Sequence, residues 1–337
     1  MMNSVMELPE SLHIILHDWL GGVAEQSGPA GQGGNSHLHC FRRGMRAAVL
    51  KIYSDGRQRG RGQQEFSALS FLARAGLPVP LPLALSSDQG MALYSWLEGE
   101  TASLKPDPAD ADRLADFWMK LQSLRDDPLA EDLVPASAAC FSLQDALDQA
   151  SHRLARLEQA LTGSSPVPDL QQDVADFVRR ELSPALRKMQ GSLPEQFHAA
   201  GLEPSARLER RWQVLSPSDF GRHNSLRRPD GGLSFVDFEY FGWDDPAKAV
   251  SDMMLHPGSA FTPAEKKRLL ARFSASLAAS DPAFPLRQRL LYPLFGMIWC
   301  LIILNLFLPE QSGRLTEEQG QTRLRRAASL LQTLSVH

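Results

Sequence analysis

Nineteen consecutive residues without a charge, Leu290 to Leu308, constrain this chain more than any other feature. A run of that length can cross a bilayer as a helix. It also contains Pro293, Gly296 and Asn305, and no second such run exists in the sequence. A helix apolar on every side is equally what the centre of a large helical body needs. We read it as an interior helix, which requires other helices around it. The rest of the chain can supply them. Of 337 residues, 43% are apolar and 22% charged, which is globular composition and argues against disorder.

Charge and cysteine usage narrow the function classes. The formal net charge is -4, so no overall basic field draws nucleic acid or an anionic membrane. Cys40, Cys140 and Cys300 lie far apart and form no C-x-x-C pair. That argues against a disulfide framework or a chelated metal and fits a reducing compartment. Met1 to Glu10 lacks the basic and apolar regions of a signal peptide, so the expected location is cytoplasmic.

The pattern along the chain changes near residue 100. Pro9 to Leu20 reads as a leading helix, and Gly28 to Asn35 as a glycine-dense turn. Leu38 to Arg42 and Ala47 to Tyr53 flank Gly44 and read as a hairpin. Arg61 to Ala75 has Phe66, Leu69 and Leu72 at helical spacing and is stopped by Gly76. Met91 to Leu97 reads as another strand. Beyond it, Leu114, Phe117, Leu121 and Leu124 mark one helical face. Ser142 and Asp145 open a further helix, a third runs near Leu170 to Met189 with a disturbance at Pro184, and Thr262-Pro263-Ala264-Glu265 starts another. Thr316 to Leu334 is amphipathic. The expected class is α+β, with a small β-rich N-terminal lobe, a larger mostly helical C-terminal lobe, and a join near Ser95 to Glu100. A cleft at such a join is a usual place for a ligand.

Chemistry concentrates in Ser216 to Asn224, where Asp219 and Asn224 are separated by Phe220-Gly221-Arg222-His223. Thirteen residues after Asn224 comes Asp237, inside Phe235-Val236-Asp237-Phe238-Glu239-Tyr240. By itself D-x-x-x-x-N is an ordinary Asx-rich turn. Here it lies between two strand-like segments, Trp212 to Leu215 and Leu233 to Val236, and the second delivers another acid. Phosphoryl transfer needs positioning, neutralised phosphate charge and an acceptor for the hydroxyl proton. Asp219 suits the last task, and the oxygens of Asn224 and Asp237 suit magnesium.

Lys51 sits in the apolar run Ala47 to Tyr53, where an unpaired ammonium is costly unless it faces water from an edge strand. Glu65, fourteen residues on, is its natural partner. Glu239, two residues after Asp237, should point to the same face of the strand, and is either a second acid toward the metal or a solvated carboxylate. Gly31, Gly33 and Gly34 with Asn35 and Ser36 are either a plain turn or a loop whose amides approach phosphates. Arg57, Arg59 and Arg61 read as a solvated turn rather than a phosphate or nucleic-acid patch. His223 reads as a local hydrogen-bonding residue rather than a substrate contact.

Together Leu50-Lys51-Ile52, Gln64-Glu65-Phe66, Trp96-Leu97-Glu98-Gly99, Asp219 to Asn224 and Asp237-Phe238-Glu239-Tyr240 resemble the aminoglycoside phosphotransferase and choline kinase superfamily, which has the protein-kinase-like fold. The motifs run in family order across Gly31 to Asp252, about two thirds of the chain. The resemblance implies an ATP- and Mg2+-dependent enzyme that phosphorylates a hydroxyl on a small molecule such as a sugar, amino sugar or amino alcohol. It implies a nucleotide-binding lobe over residues 1–95 and a catalytic, substrate-binding lobe over residues 96–337. Asp219 would be catalytic, Asn224 and Asp237 would bind metal, and Lys51 with Glu65 would position phosphates. Backbone groups of Ser95 and Leu97 would meet adenine, and Asp252 would hold the catalytic-loop backbone. The chain departs from the family at Pro217 and Ser218, where histidine and glycine are usual, and at Ser95, where an acid is usual. These departures favour one rival, a kinase-fold binder without chemistry.

Overall fold

The structure is a computed structural model that describes residues 8–32, 36–53 and 56–334. Contacts divide the chain into two compact units. The first comprises Met1–Ser137, Leu215–Trp243 and Gly258–Ala260, and the second Ala138–Val214, Asp244–Pro257 and Phe261–His337. In order, the first contains α1 (Glu10–Leu20), β1 (Gln26–Gln32), β2 (Ser36–Arg43), β3 (Arg46–Tyr53), α2 (Gly56–Arg74), β4 (Pro82–Ser86), β5 (Met91–Ser95), β6 (Glu100–Thr101) and α3 (Pro108–Gln122). The N-terminal β-rich region and the mostly helical remainder are as expected.

Strands β1 to β5 form one antiparallel sheet in the order β1-β2-β3-β5-β4. The expected turn at Gly28 to Asn35 is corrected: Gln26–Gln32 is strand β1, paired along β2. A run poor in β-formers is held there by backbone hydrogen bonds that composition does not report. Gly33, Gly34 and Asn35 lie outside the described residues. The expected turn at Arg57 to Arg61 is also corrected, because helix α2 already begins at Gly56.

β3 is a central strand, so both its edges are paired, by β2 and β5. Ala48, Leu50 and Ile52 pack with Leu12, Leu16 and Leu20 of α1. The alternate residues Lys51 and Tyr53 face the other way and reach Glu65 of α2. The edge-strand position that would let Lys51 reach water is therefore not the one it occupies. Past α2, Gly76 takes φ of 70 degrees and Leu77 donates its N–H to the Leu72 carbonyl, which closes the helix end.

The second unit holds α4 (Leu143–Ala160), α5 (Pro168–Phe177) and α6 (Ser183–Ala199). The disturbance expected near Pro184 is a π turn over Val178–Leu182, which joins α5 to α6. Next come β7 (Val214–Ser216), β8 (Ser225–Arg227), β9 (Leu233–Phe235) and β10 (Gly242–Asp244), of which β8 and β9 extend β6 in a small sheet of the first unit. The chain returns to helices with α7 (Pro246–Leu255), α8 (Pro263–Ser280), α9 (Phe284–Ile303) and α10 (Glu317–Leu334). α8 has the capping box read from Thr262 and Glu265. At α4, Ser142 caps Asp145 N–H, but Asp145 accepts from Phe141 rather than reciprocating to Ser142.

The uncharged segment forms α9 and the single turn after it. This is the one helix, among the described residues, long and apolar enough to cross a membrane, and 67% of its most apolar window is buried inside the protein. α4, α6, α7, α8 and α10 pack around it. It is tied to α7 by Gln288 Nε2 donating to Ser251 Oγ at 3.0 Å and by Trp299 Nε1 donating to Asp252 Oδ1 at 2.8 Å. Asp252 also accepts from Lys248 Nζ at 2.6 Å, and Lys248 reaches Asp244 Oδ2 at 3.1 Å. The partners found for Asp252 thus belong to helices of its own unit.

Lys248, Asp244 and Asp252 form a buried ion triad along α7. Burial pushes the Asp244 carboxyl up to about 7, against the pull of Lys248. Removing a buried ion partner costs about 3–5 kcal/mol. Lys248→Ala is expected to lose stability of that order at pH 8 in urea denaturation. The loss should shrink at pH 5, where Asp244 carries a proton and no longer leaves an unanswered charge.

Candidate active site

Lys51 Nζ lies 2.7 Å from Glu65 Oε2, 2.6 Å from Asp237 Oδ1 and 3.4 Å from Glu239 Oε2. β3, α2 and the segment after β9 each supply a member of this cluster. Burial alone would strip the proton from Lys51, but the three carboxylates more than offset it and hold its pKa well above the ordinary value. Burial raises the Asp237 carboxyl to about 6, opposed by Lys51 and reinforced by Glu65 and Glu239. The Asp237 side chain still keeps 38% of its surface open, so its outer face meets solvent while its neighbours are packed.

Glu65 does more than pair with lysine. Its Oε2 accepts from Lys51 and from Tyr53 Oη at 2.6 Å, and its Oε1 accepts the Phe238 N–H at 3.2 Å. The residue after Asp237 is therefore fixed by the same carboxylate that fixes Lys51. Asp237 itself has φ of 67 degrees, a left-handed conformation uncommon for a residue with a Cβ. The bond to Phe238 helps hold it there. Gln64 adds a second tie, donating Nε2–H to the Phe241 carbonyl at 2.7 Å.

Glu239 joins the cluster although its route differs from the one expected. β9 ends at Phe235, so strand alternation does not place it. It approaches Lys51, and Arg61 stands 3.8 Å from its other oxygen while stacking on the Tyr240 ring. Glu65, Asp237 and Glu239 offer oxygens within 4.8 Å of one another. Three carboxylates around one ammonium leave excess negative charge, and oxygen donors of this kind suit a hard divalent cation.

Asp219 and Asn224 occupy the loop between β7 and β8. Asn224 donates Nδ2–H to the Asp219 carbonyl at 2.9 Å. A carbonyl can only accept, so this bond fixes the amide and leaves Asn224 Oδ1 as the acceptor available to a cation. Val236 donates its N–H to the Asn224 carbonyl, which ties the residue before Asp237 to the loop. Asp219 Oδ1 lies 2.7 Å from His223 Nε2, so the histidine set aside in the sequence touches the carboxylate.

The loop keeps its shape through several unequal supports. Ser218, at the position where the resembled family has glycine, takes φ of 65 degrees. The glycine-like backbone survives the change to serine. Gly221 has extended φ, but a Cβ there would stand 2.2 Å from Ser259 Oγ, so close approach requires the glycine. Arg222 is 1% exposed and donates to the Asp107 carbonyl at 3.0 Å, with Nε 3.4 Å from Asp110. Asp110 also closes the capping box of α3. The start of α3 and the loop therefore hold each other.

Ser95 ends β5, where its N–H goes to the Leu81 carbonyl and its Oγ accepts from Leu81 N–H at 2.8 Å. Its amide is committed to the sheet, which leaves its carbonyl for a ligand. Leu97 follows outside any strand.

Tyr53 was not legible as a site residue, since it reads as one more apolar position of β3. Its hydroxyl meets Glu65 and, at 3.1 Å, Tyr94 Oη. Burial and the adjoining Glu65 charge keep the Tyr53 hydroxyl protonated far above its usual range. Gly62 of α2 lets the ring in, because a Cβ there would lie 2.8 Å from Tyr53 Cε2. Hydrogen bonds to charged groups contribute about 1.5–3 kcal/mol. Tyr53→Phe is expected to lower stability in urea denaturation by that order, with Gly62→Ala also destabilising as the ring is displaced.

The family model described as the phosphotransferase enzyme family matches residues 30–285, and the chain belongs to that family. No curated protein matches by sequence. Among solved structures, the choline kinase LicA from Streptococcus pneumoniae is similar at a TM-score of 0.58 and 15% identity, covering 96% of this chain and 100% of that one. A spectinomycin phosphotransferase, APH(9)-Ia, in complex with ADP and spectinomycin is similar at 0.62 and 10%, covering 97% and 94%. A Plasmodium vivax ethanolamine kinase is similar at 0.59 and 12%, covering 98% and 92%. At these identities the likeness establishes the fold, which is protein-kinase-like.

Proposed function

We propose that this member of the phosphotransferase enzyme family transfers the γ-phosphate of ATP to a hydroxyl of a small molecule, with magnesium. The observation that carries the reading is the Lys51, Glu65 and Asp237 cluster. Glu65 holds the ammonium through one oxygen and the backbone beside Asp237 through the other. A phosphate-binding cation and a metal-binding acid are thus set by one carboxylate. Residues 1–95 would bind nucleotide and residues 96–337 would supply catalysis and acceptor binding.

Each residue has a role that follows from its chemistry. Lys51, kept charged, neutralises phosphate oxygens. Asn224 Oδ1 and Asp237 would hold the metal, which supplies charge neutralisation on the phosphates when bound. Glu239, at the same ammonium, assists from behind. The carbonyl of Ser95 and the backbone of Leu97 would meet the adenine edge. Asp219 accepts a hydrogen bond from the acceptor hydroxyl and takes its proton late in transfer. His223 holds Asp219 Oδ1 and so orients the carboxylate for that task.

The acceptor class, a sugar, amino sugar or amino alcohol, rests on the family and on neighbours named for spectinomycin, choline and ethanolamine. The left-handed backbone of Ser218 supports chemistry over silent binding, because it retains the loop course at a cost that a mere binder need not bear.

ATP consumption measured across sugars and amino alcohols, with mass spectrometry of the product, tests the reading. Asp219→Asn should bind Mg-ATP within about threefold of wild type, yet lose about 10²-fold or more in turnover, in the range of general-base loss. Undiminished turnover would remove Asp219 from its role. Lys51→Ala and Asp237→Asn should instead weaken Mg-ATP binding in calorimetry; normal binding by both would overturn the nucleotide assignment.

A further inference from the structure

The second unit contains a groove of about 440 Å3 walled by α8 and α9, with Met254 of α7 lining it. Lys266, Lys267 and Leu270 recur on one face of α8, while Gln288, Arg289 and Tyr292 recur on one face of α9. Three cations line the groove and no carboxylate does. None of the three forms an ion pair among the described residues. Lys266 is half-buried, and burial with no answering charge pulls its pKa below the ordinary lysine value.

A second cavity of the same unit makes the contrast. It also contains charged residues, but its buried Arg287 pairs with Asp281 at 2.7 Å and with Asp245 at 3.3 Å. That arginine is answered from within. The groove between α8 and α9 is different, and one of its buried polar atoms is also unmet. Gln288 is 5% exposed and donates Nε2–H to Ser251 Oγ at 3.0 Å. The Ser251 hydroxyl gives its own proton to the Ala247 carbonyl, so the amide orientation is fixed by chemistry. Gln288 Oε1 is then left buried without a partner. A buried acceptor left unmet is destabilising, and a ligand donor would relieve it.

We propose that this groove binds a small organic anion, a compact apolar body carrying a phosphate or carboxylate. Lys266, Lys267 and Arg289 hold the charge, and Leu270 with the Tyr292 ring packs the body. A hydroxyl or amine on the ligand donates to Gln288 Oε1. The volume falls within the usual range for small-molecule sites, about 300–1,000 Å3. The groove shares no residue with those assigned to phosphoryl transfer, and the inference does not depend on that assignment.

Calorimetric titration of the full-length protein with phenyl phosphate and with phenylacetate tests it, with inorganic phosphate and benzyl alcohol in parallel. Saturable binding of either aryl anion is expected, at least fivefold tighter than inorganic phosphate and absent for benzyl alcohol. Lys266→Gln and Arg289→Gln should each weaken it at least fivefold. Both side chains reach solvent, so these changes leave the packing intact, and circular dichroism verifies that. Lys51→Ala should leave the affinity unchanged, which separates this groove from the nucleotide residues. The proposal is overturned if neither aryl anion saturates, if inorganic phosphate binds as well, if both charge variants bind as wild type, or if Lys51→Ala abolishes binding.

Discussion

One ammonium held among three carboxylates organises the first unit. Lys51 is buried in the centre of a sheet, where a lone charge is not tolerated. Its position therefore demands acids from elsewhere in the chain, and the fold meets that demand from α2 and from the segment after β9. Sequence positions 186 residues apart are brought within 2.6 Å by this requirement. The loop between β7 and β8 is then joined to the same point through Val236 and Asn224.

The cluster is not built for maximum stability. Three acids face Lys51 and, at one edge, Arg61, while burial, reinforced by Glu65 and Glu239, raises the Asp237 carboxyl. Oxygen donors grouped in this way suit a hard cation. The supports around it are correspondingly firm: Tyr53 and Phe238 on Glu65, Gln64 on Phe241, Arg222 on the start of α3. Rigidity lies in the surroundings, and the grouped charge lies at the centre.

Much of this was legible in the sequence because it follows from local rules. The period-two pattern of Ala47 to Tyr53 marked a strand, and an ammonium within it pointed to a partner. Proline, cap and glutamate at Thr262 to Glu265 marked a helix start. Gln26–Gln32 was misread because its strand depends on pairing with β2, which residue preference does not encode. The arginines at 57 to 61 suggested a solvated turn because charge density outweighed helical spacing; the helix they open is anchored further on, by Leu69 and Leu72. Tyr53 was invisible as a site residue for a similar reason. What matters is its hydroxyl, and that acquires meaning only once Glu65 is opposite.

The uncharged helix α9 imposes an order on synthesis. Its last residue is Ile303, and one of its covering helices, α10, is complete only at Leu334. Leu334 packs where a Cβ on Gly296 would stand, and Ala327 accepts from Cys300 Sγ. At roughly 5–20 residues per second, several seconds separate the emergence of the two helices from a ribosome. For that interval α9 has α4, α6, α7 and α8 to lean on, and its last face stays open. A nascent chain with such a face is a substrate for whatever binds apolar segments at the tunnel exit, so α10 is the step that ends its exposure.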